Sequence, residues 1–173
     1  LAEAMGQSNT DQKYVFLSDG GHFDNLGLYE ALARQVRLIV VVDASLDPNY
    51  EFSDFGRTDM LARLDLNCEI SLSTDSLEKF KAGTVCFIEG KIKYGNQDQH
   101  ADHPRGSSDK YGEIYLIKPV LTDNAAMHIR AYRAGSSTFP HESTANQWFT
   151  ESQFAAYLEL GEHAALGLPF DFP

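Results

Sequence analysis

The sequence predicts an α/β fold in a single domain over residues 1–173. Three patterns carry that expectation. An apolar run over residues 14–17, a helix-spaced segment reaching about Arg34 and the β-branched run "RLIVVVD" over residues 37–43 make a βαβ unit. Its two strands run parallel, because a helix carries the chain back across the sheet. Later, "TVCFIEGKIKY" (residues 84–94) and "YGEIYLIK" (residues 111–118) read as strands pairing in an antiparallel hairpin. Helical segments then close the chain.

Taken in order, residues 1–12 are small and polar and read as a lead-in. The first strand stops at Asp19, where Gly20 and Gly21 follow. Asp24 or Asn25 can cap the next helix, whose Leu26, Tyr29, Leu32 and Ala33 share one face. The unbroken apolar run ending at Asp43 predicts a strand buried on both faces. "ASLDPNYEFSDFG" (residues 44–56) reads as a loop, residues 58–66 as a short helix capped by Thr58, and residues 76–81 as a further helical turn. Residues 95–110 hold one apolar side chain, Ala101. They predict a long, mobile excursion from the hairpin, since they bury too little to offset their ordering entropy. A helix is expected over residues 124–134, and Thr150 with Gln153 forms a capping-box pattern for another from Glu151 to about His163.

Composition narrows the function. A net charge of −11 argues against general nucleic-acid binding and against electrostatic docking on anionic lipid. Membrane association is therefore not encoded by charge. No run approaches the ~18 apolar residues of a membrane-spanning helix, and no signal-peptide pattern is visible. Cytoplasmic or membrane-associated placement is the expectation. Cys68 and Cys86 lack metal-ligand spacing, lie in apolar surroundings and predict buried free thiols. The chain begins at Leu1 rather than Met, and reads as a piece of something longer.

The chemistry concentrates at "YVFLSDGGHFDNLGLYEAL". Glycines after a strand permit positive φ and close approach to the backbone, and ligands of open α/β sheets bind at this strand edge. Three readings compete. One is a tight turn whose Asp caps the next helix. A second is a dinucleotide site with Asp43 as the ribose-binding acid. That pattern lacks G-x-G-x-x-G, and Asp19 and Asp24 would repel a pyrophosphate. The third is catalytic: a carboxylate at a strand end that accepts a nucleophile's proton.

The block "SDGGHFDNLGLYEALARQVRLIVVVDA" resembles the second signature block of patatin-like phospholipases, and the related block of the calcium-regulated cytosolic phospholipases. "FPHESTANQWFTESQFAAYLELGEH" resembles the C-terminal part of bacterial patatin-like proteins. The resemblance implies part of a three-layer patatin-like fold and lipid acyl-ester hydrolysis by a Ser–Asp dyad. Asp19 takes the dyad Asp position, and Gly20 and Gly21 complete its motif. It implies no cofactor, no metal and no triad histidine. The nucleophile motif G-x-S-x-G occurs nowhere in the 173 residues. "GQSNT" (residues 6–10) lacks the final glycine. The chain thus resembles the C-terminal portion of such an enzyme, inactive alone, whose partner is the missing N-terminal half. The alternative is a non-catalytic interaction or regulatory module that keeps the fold.

Other candidates have simpler readings. His22 reads as a turn histidine that could reach Asp19. His100 and His103, with Asp98 and Asp102, could hold zinc but read as a solvated loop. His141, Glu142 and Ser143 are adjacent in sequence, with Ser143 or Thr144 serving a turn. Tyr132, Phe139, Trp148, Phe149, Phe154 and Tyr157 read as core packing, with a lipid-facing patch as the alternative.

Overall fold

A computed structural model describes residues 19–95 and 110–170. The predicted strand over residues 14–17 and most of the 95–110 excursion, with His100 and His103, lie outside the described residues. Within them the chain is mixed α/β. A four-stranded sheet has the order β1 (Leu38–Val42), β4 (Tyr111–Ile117), β3 (Phe87–Lys93), β2 (Glu69–Leu72). β1 runs parallel to β4, and the other pairs are antiparallel. Five α-helices accompany it: α1 (Leu28–Ala33), α2 (Ser53–Leu66), α3 (Thr74–Lys81), α4 (Met127–Gly135) and α5 (Glu151–Leu166).

One sheet face carries the main core. Ile39 and Val41 of β1, Ile114 and Leu116 of β4, Ile92 of β3 and Ile70 of β2 all project to it. Leu28 and Leu32 of α1 and Phe55, Ala62 and Leu66 of α2 close over them. A second cluster joins Phe80 of α3, Ile88, Ile117 and Val120 to Ala164 of α5 and Leu168. A third packs Ile129 of α4 and Phe139 against Ala156 and Leu160 of α5. The thiols of Cys68 and Cys86 are buried in the first two clusters, and burial raises them to about 12 and about 11.

The opposite face corrects the expectation for "RLIVVVD". Leu38 is 45% exposed and Val42 is 64% exposed. Side chains alternate across a strand, so Leu38, Val40 and Val42 point away from α1 and α2. Leu38 and Val42 are exposed, whereas Val40 is partly buried against the second cluster, which holds Phe80 of α3 and Ala164 of α5. β1 is a strand fully buried on one face and only partly covered on the other.

Local chemistry moves several boundaries. α2 starts five residues before Thr58, which lies buried inside it and hydrogen-bonds the Asp54 carbonyl at 3.2 Å. The preceding loop makes this start possible, because Asp47 accepts from Glu51 N and Phe52 N at 2.8 and 3.0 Å. α3 starts at Thr74, with Ser73 accepting from Ser76 N. Thr150 caps α5 through Gln153 N at 3.2 Å, but the Gln153 amide turns to Glu142 rather than closing the box. β2 was not expected from its sequence.

Gly90 of β3 marks a close approach. A Cβ there would sit 2.8 Å from the Ser71 carbonyl oxygen and 3.1 Å from Ile114 Cγ2. Gly90→Ala is expected to cost about 1–3 kcal/mol of stability, read from the urea midpoint.

Candidate functional site

Asp19 opens a short 3₁₀ turn over Gly20–His22, and its Oδ1 accepts from Gly21 N at 3.0 Å. The carboxylate is exposed. Among the described residues this is its one side-chain hydrogen bond. The carboxylate that caps α1 belongs to Asp24, accepting from Leu26 N at 3.1 Å and Tyr29 N at 2.6 Å. Capping and catalytic readings therefore fall on different residues. Asp24 fastens the helix, and Asp19 shapes only its own turn.

Three contacts tie this turn to the first turns of α2. Arg57 Nη2 donates to the His22 carbonyl at 2.7 Å, Thr58 Oγ1 to Asp24 at 3.2 Å, and Asn25 Nδ2 to Asp54 at 2.9 Å. α2 begins in the loop that leaves the carboxyl end of β1. The Asp19 turn thus stands at that edge of the sheet. Neither Gly20 nor Gly21 has positive φ, which corrects the conformational argument for them. Gly21 is instead closely approached, since a Cβ would meet Asn25 Oδ1 at 3.0 Å and the Asn25 side chain would have to yield. Among the described residues, nothing lies within 4 Å of a Cβ on Gly20.

At the same edge sits a cluster that the sequence reading missed. Lys118, at the end of β4, is fully buried, and Asp43, at the end of β1, is 1% exposed. Lys118 Nζ lies 2.8 Å from Asp43 Oδ2 and 3.2 Å from Asp47 Oδ2, with the Phe52 ring centroid 5.8 Å away. Ser45 donates to Asp43 Oδ1 through its N–H at 3.0 Å and its hydroxyl at 2.6 Å. The parallel register explains the meeting: Val42 pairs with Ile117, so the next residues of both strands leave the sheet side by side. Asp43 is committed to this network and is not offered to a ribose. The available signal was a lysine ending one buried apolar run and an aspartate ending another.

Burial raises the Asp43 carboxyl, but hydrogen bonds from Lys118 and Ser45 and the lysine charge outweigh it, and the group titrates below its usual range. Asp47 follows the same balance, with Glu51 N and Phe52 N as the leading donors. The unfolded chain therefore takes up protons first as pH falls. The stabilisation is fully present above the unfolded carboxylate value of about 4 and is lost as pH falls through the lower folded values. Asp43→Asn should flatten this part of the stability–pH curve, as measured by urea midpoints from pH 7 to 3.

The "HES" triplet does not form a triad. Glu142 accepts from Tyr132, Ser136 and Gln153, and Ser143 Oγ accepts from Ala145 N. His141 points elsewhere, 8% exposed and edge-on to Tyr50 with centroids 5.1 Å apart. The aromatic region divides. Phe139 is buried between Tyr132 and Tyr157, whereas Trp148 is 90% exposed and Phe149 and Phe154 also face solvent. His22 is exposed on the 3₁₀ turn. Among the described residues, no group of three His, Cys, Asp or Glu side chains could hold a metal ion, and no helix is long and apolar enough to cross a membrane. No known family model matches the chain, and neither a curated protein nor a solved structure matches it.

Proposed function

We propose that this chain is the Asp-bearing portion of a patatin-like serine acyl hydrolase acting on lipid acyl esters. The observation that carries the reading is the state of Asp19. Its carboxylate is exposed at the carboxyl edge of β1, on a turn held by other residues, and among the described residues it accepts one hydrogen bond, from Gly21 N. A general base needs this access, together with a fixed backbone.

The chemistry assigned to Asp19 is proton transfer. A serine from the N-terminal half attacks the ester carbonyl carbon, and its hydroxyl proton passes to Asp19. Collapse of the tetrahedral intermediate breaks the ester bond, and Asp19 returns the proton to the departing alcohol. Water then adds to the acyl-serine with its proton taken by Asp19, and collapse frees the fatty acid as Asp19 returns that proton to the departing serine oxygen. That no described residue lies within 4 Å of a Cβ on Gly20 supports room for a group to approach the turn. The exposed Leu38 and Val42 at the two ends of β1 support a reading in which further protein packs beside this strand.

A second reading, a non-catalytic interaction module, is favoured by the lack of G-x-S-x-G in the sequence. The test is ester turnover. By itself this chain should hydrolyse p-nitrophenyl esters no faster than buffer, because nucleophile and oxyanion donors act as a unit. Joined to the half that supplies the serine, it should turn them over in an Asp19-dependent way. Absence of turnover in the joined protein favours the interaction module.

A further inference from the structure

His141 is more than nine-tenths buried, and among the described residues neither Nδ1 nor Nε2 has a hydrogen-bond partner. Each ring nitrogen has less than 1 Å² of accessible surface. The backbone is fixed, its N–H donating to the Thr138 carbonyl at 2.7 Å. The ring stands edge-on to Tyr50, centroids 5.1 Å apart and planes at 80°. A neutral imidazole serves here as an aromatic body. An imidazolium does not, because it brings a charge and two N–H donors to a place that answers neither.

The charges facing the ring come from Lys118 at the end of β4, Asp43 and Asp47 at and after the end of β1, and Arg133 of α4. The two carboxylates would favour a proton on the ring, but both are engaged. Lys118 lies 2.8 Å from Asp43 and 3.2 Å from Asp47, and Ser45, Glu51 N and Phe52 N supply further donors. Glu142, the next residue, accepts from Tyr132, Ser136 and Gln153. The Tyr50 hydroxyl is held in its neutral form by burial. Burial, then Lys118, hold the ring below its ordinary value, with Arg133 adding to them against Asp47 and Asp43.

The ring joins two segments distant in sequence. Tyr50 belongs to the loop after β1, where it also packs edge-on to Phe80 of α3. His141 belongs to the segment after α4. The two segments also flank a cleft, with Leu46 and Pro48 on one side and Ser137 and Thr138 on the other.

We infer that His141 is an acid-released latch. Neutral, its ring packs on Tyr50 and holds residues 137–141 to the loop after β1; when the ring takes up a proton from solvent it leaves this site, and the two segments part. The open form takes up that proton first as pH falls. The closed form is therefore fully favoured above the ordinary histidine value of about 6.5, and loses ground as pH falls through it toward the lower closed-state value. This window lies above the one set by Asp43 and Asp47. The latch stands apart from the acyl-transfer reading, because neither Asp19 chemistry nor turnover enters it.

The test is hydrogen exchange at pH 7 and pH 5, scaled to the intrinsic exchange rate, with the histidine ring ¹⁵N signals followed over the same range. Protection of residues 44–52 and 137–142 should fall at least about fivefold, toward the roughly thirtyfold limit for one proton between an open-state value near 6.5 and pH 5. Protection of the β3–β4 hairpin should hold, and the His141 ring should titrate below the ordinary value. In His141→Phe, which keeps an aromatic ring and cannot be protonated, the two segments should stay protected at pH 5. His141→Gln, uncharged at every pH, should also abolish the pH dependence and serves if His141→Phe fails to fold. The inference is overturned by unchanged protection at pH 5, by an equal loss in the β3–β4 hairpin, by the same loss in the two variants, or by a His141 ring that titrates at or above the ordinary value.

Discussion

Replacing Lys118 by methionine should cost the fold about 3–5 kcal/mol, because it strands buried carboxylates without their cation. Methionine matches the length of the lysine stem, so the loss reports the charge rather than a cavity. Asp43 is 1% exposed and would keep only the two Ser45 donors, and Asp47 would keep its backbone bonds to Glu51 and Phe52. The loop after β1 and the start of α2 hang on these groups, so the Asp19 turn should loosen as well. Two controls separate the causes. Adding Asp43→Asn to Lys118→Met should recover part of the loss, since the stranded charge is gone. The deficit should also shrink toward low pH, as Asp43 becomes protonated. Urea unfolding at several pH values reads all three, and a loss below about 1 kcal/mol at pH 7 would show that the pair does not anchor this edge.

Asp19→Asn should behave in the opposite way. In the protein that also carries the serine, ester turnover should drop by about 10²–10⁴-fold, the range supplied by a positioned acid–base group. Stability should barely change. The side chain is exposed, and the asparagine carbonyl can still accept from Gly21 N. The combination separates a reacting carboxylate from a turn-building one, since the latter would lower the urea midpoint in step with activity.

Much of this arrangement was legible in the residues, for physical reasons. The β3–β4 hairpin declares itself through two apolar runs around a polar excursion, and Thr150 through its spacing from Gln153. The turn that begins at Asp19 is legible because two glycines follow the carboxylate. What failed depends on partners distant in sequence. The exposure of Leu38 and Val42 is set by what covers the sheet, and a continuous apolar run cannot state that. α2 starts at Ser53 because Asp47 gathers the loop before it, a local hydrogen-bond pattern hidden in a segment that reads as irregular. Lys118 and Asp43 meet only through the parallel register of β1 with β4, across 75 residues. His141 looked like part of a sequence-adjacent triplet, and only the fold shows its ring buried against Tyr50 while Glu142 and Ser143 bond elsewhere.

The central claim is that Asp19 serves a serine supplied from outside these 173 residues. Its most direct test is to treat the protein containing both halves with a fluorophosphonate ester and locate the adduct by mass spectrometry. The expected result is one labelled serine preceding residue 1, with labelling greatly slowed in Asp19→Asn and no label on this chain alone. An adduct on a serine within the chain, or labelling at full rate in Asp19→Asn, would contradict it.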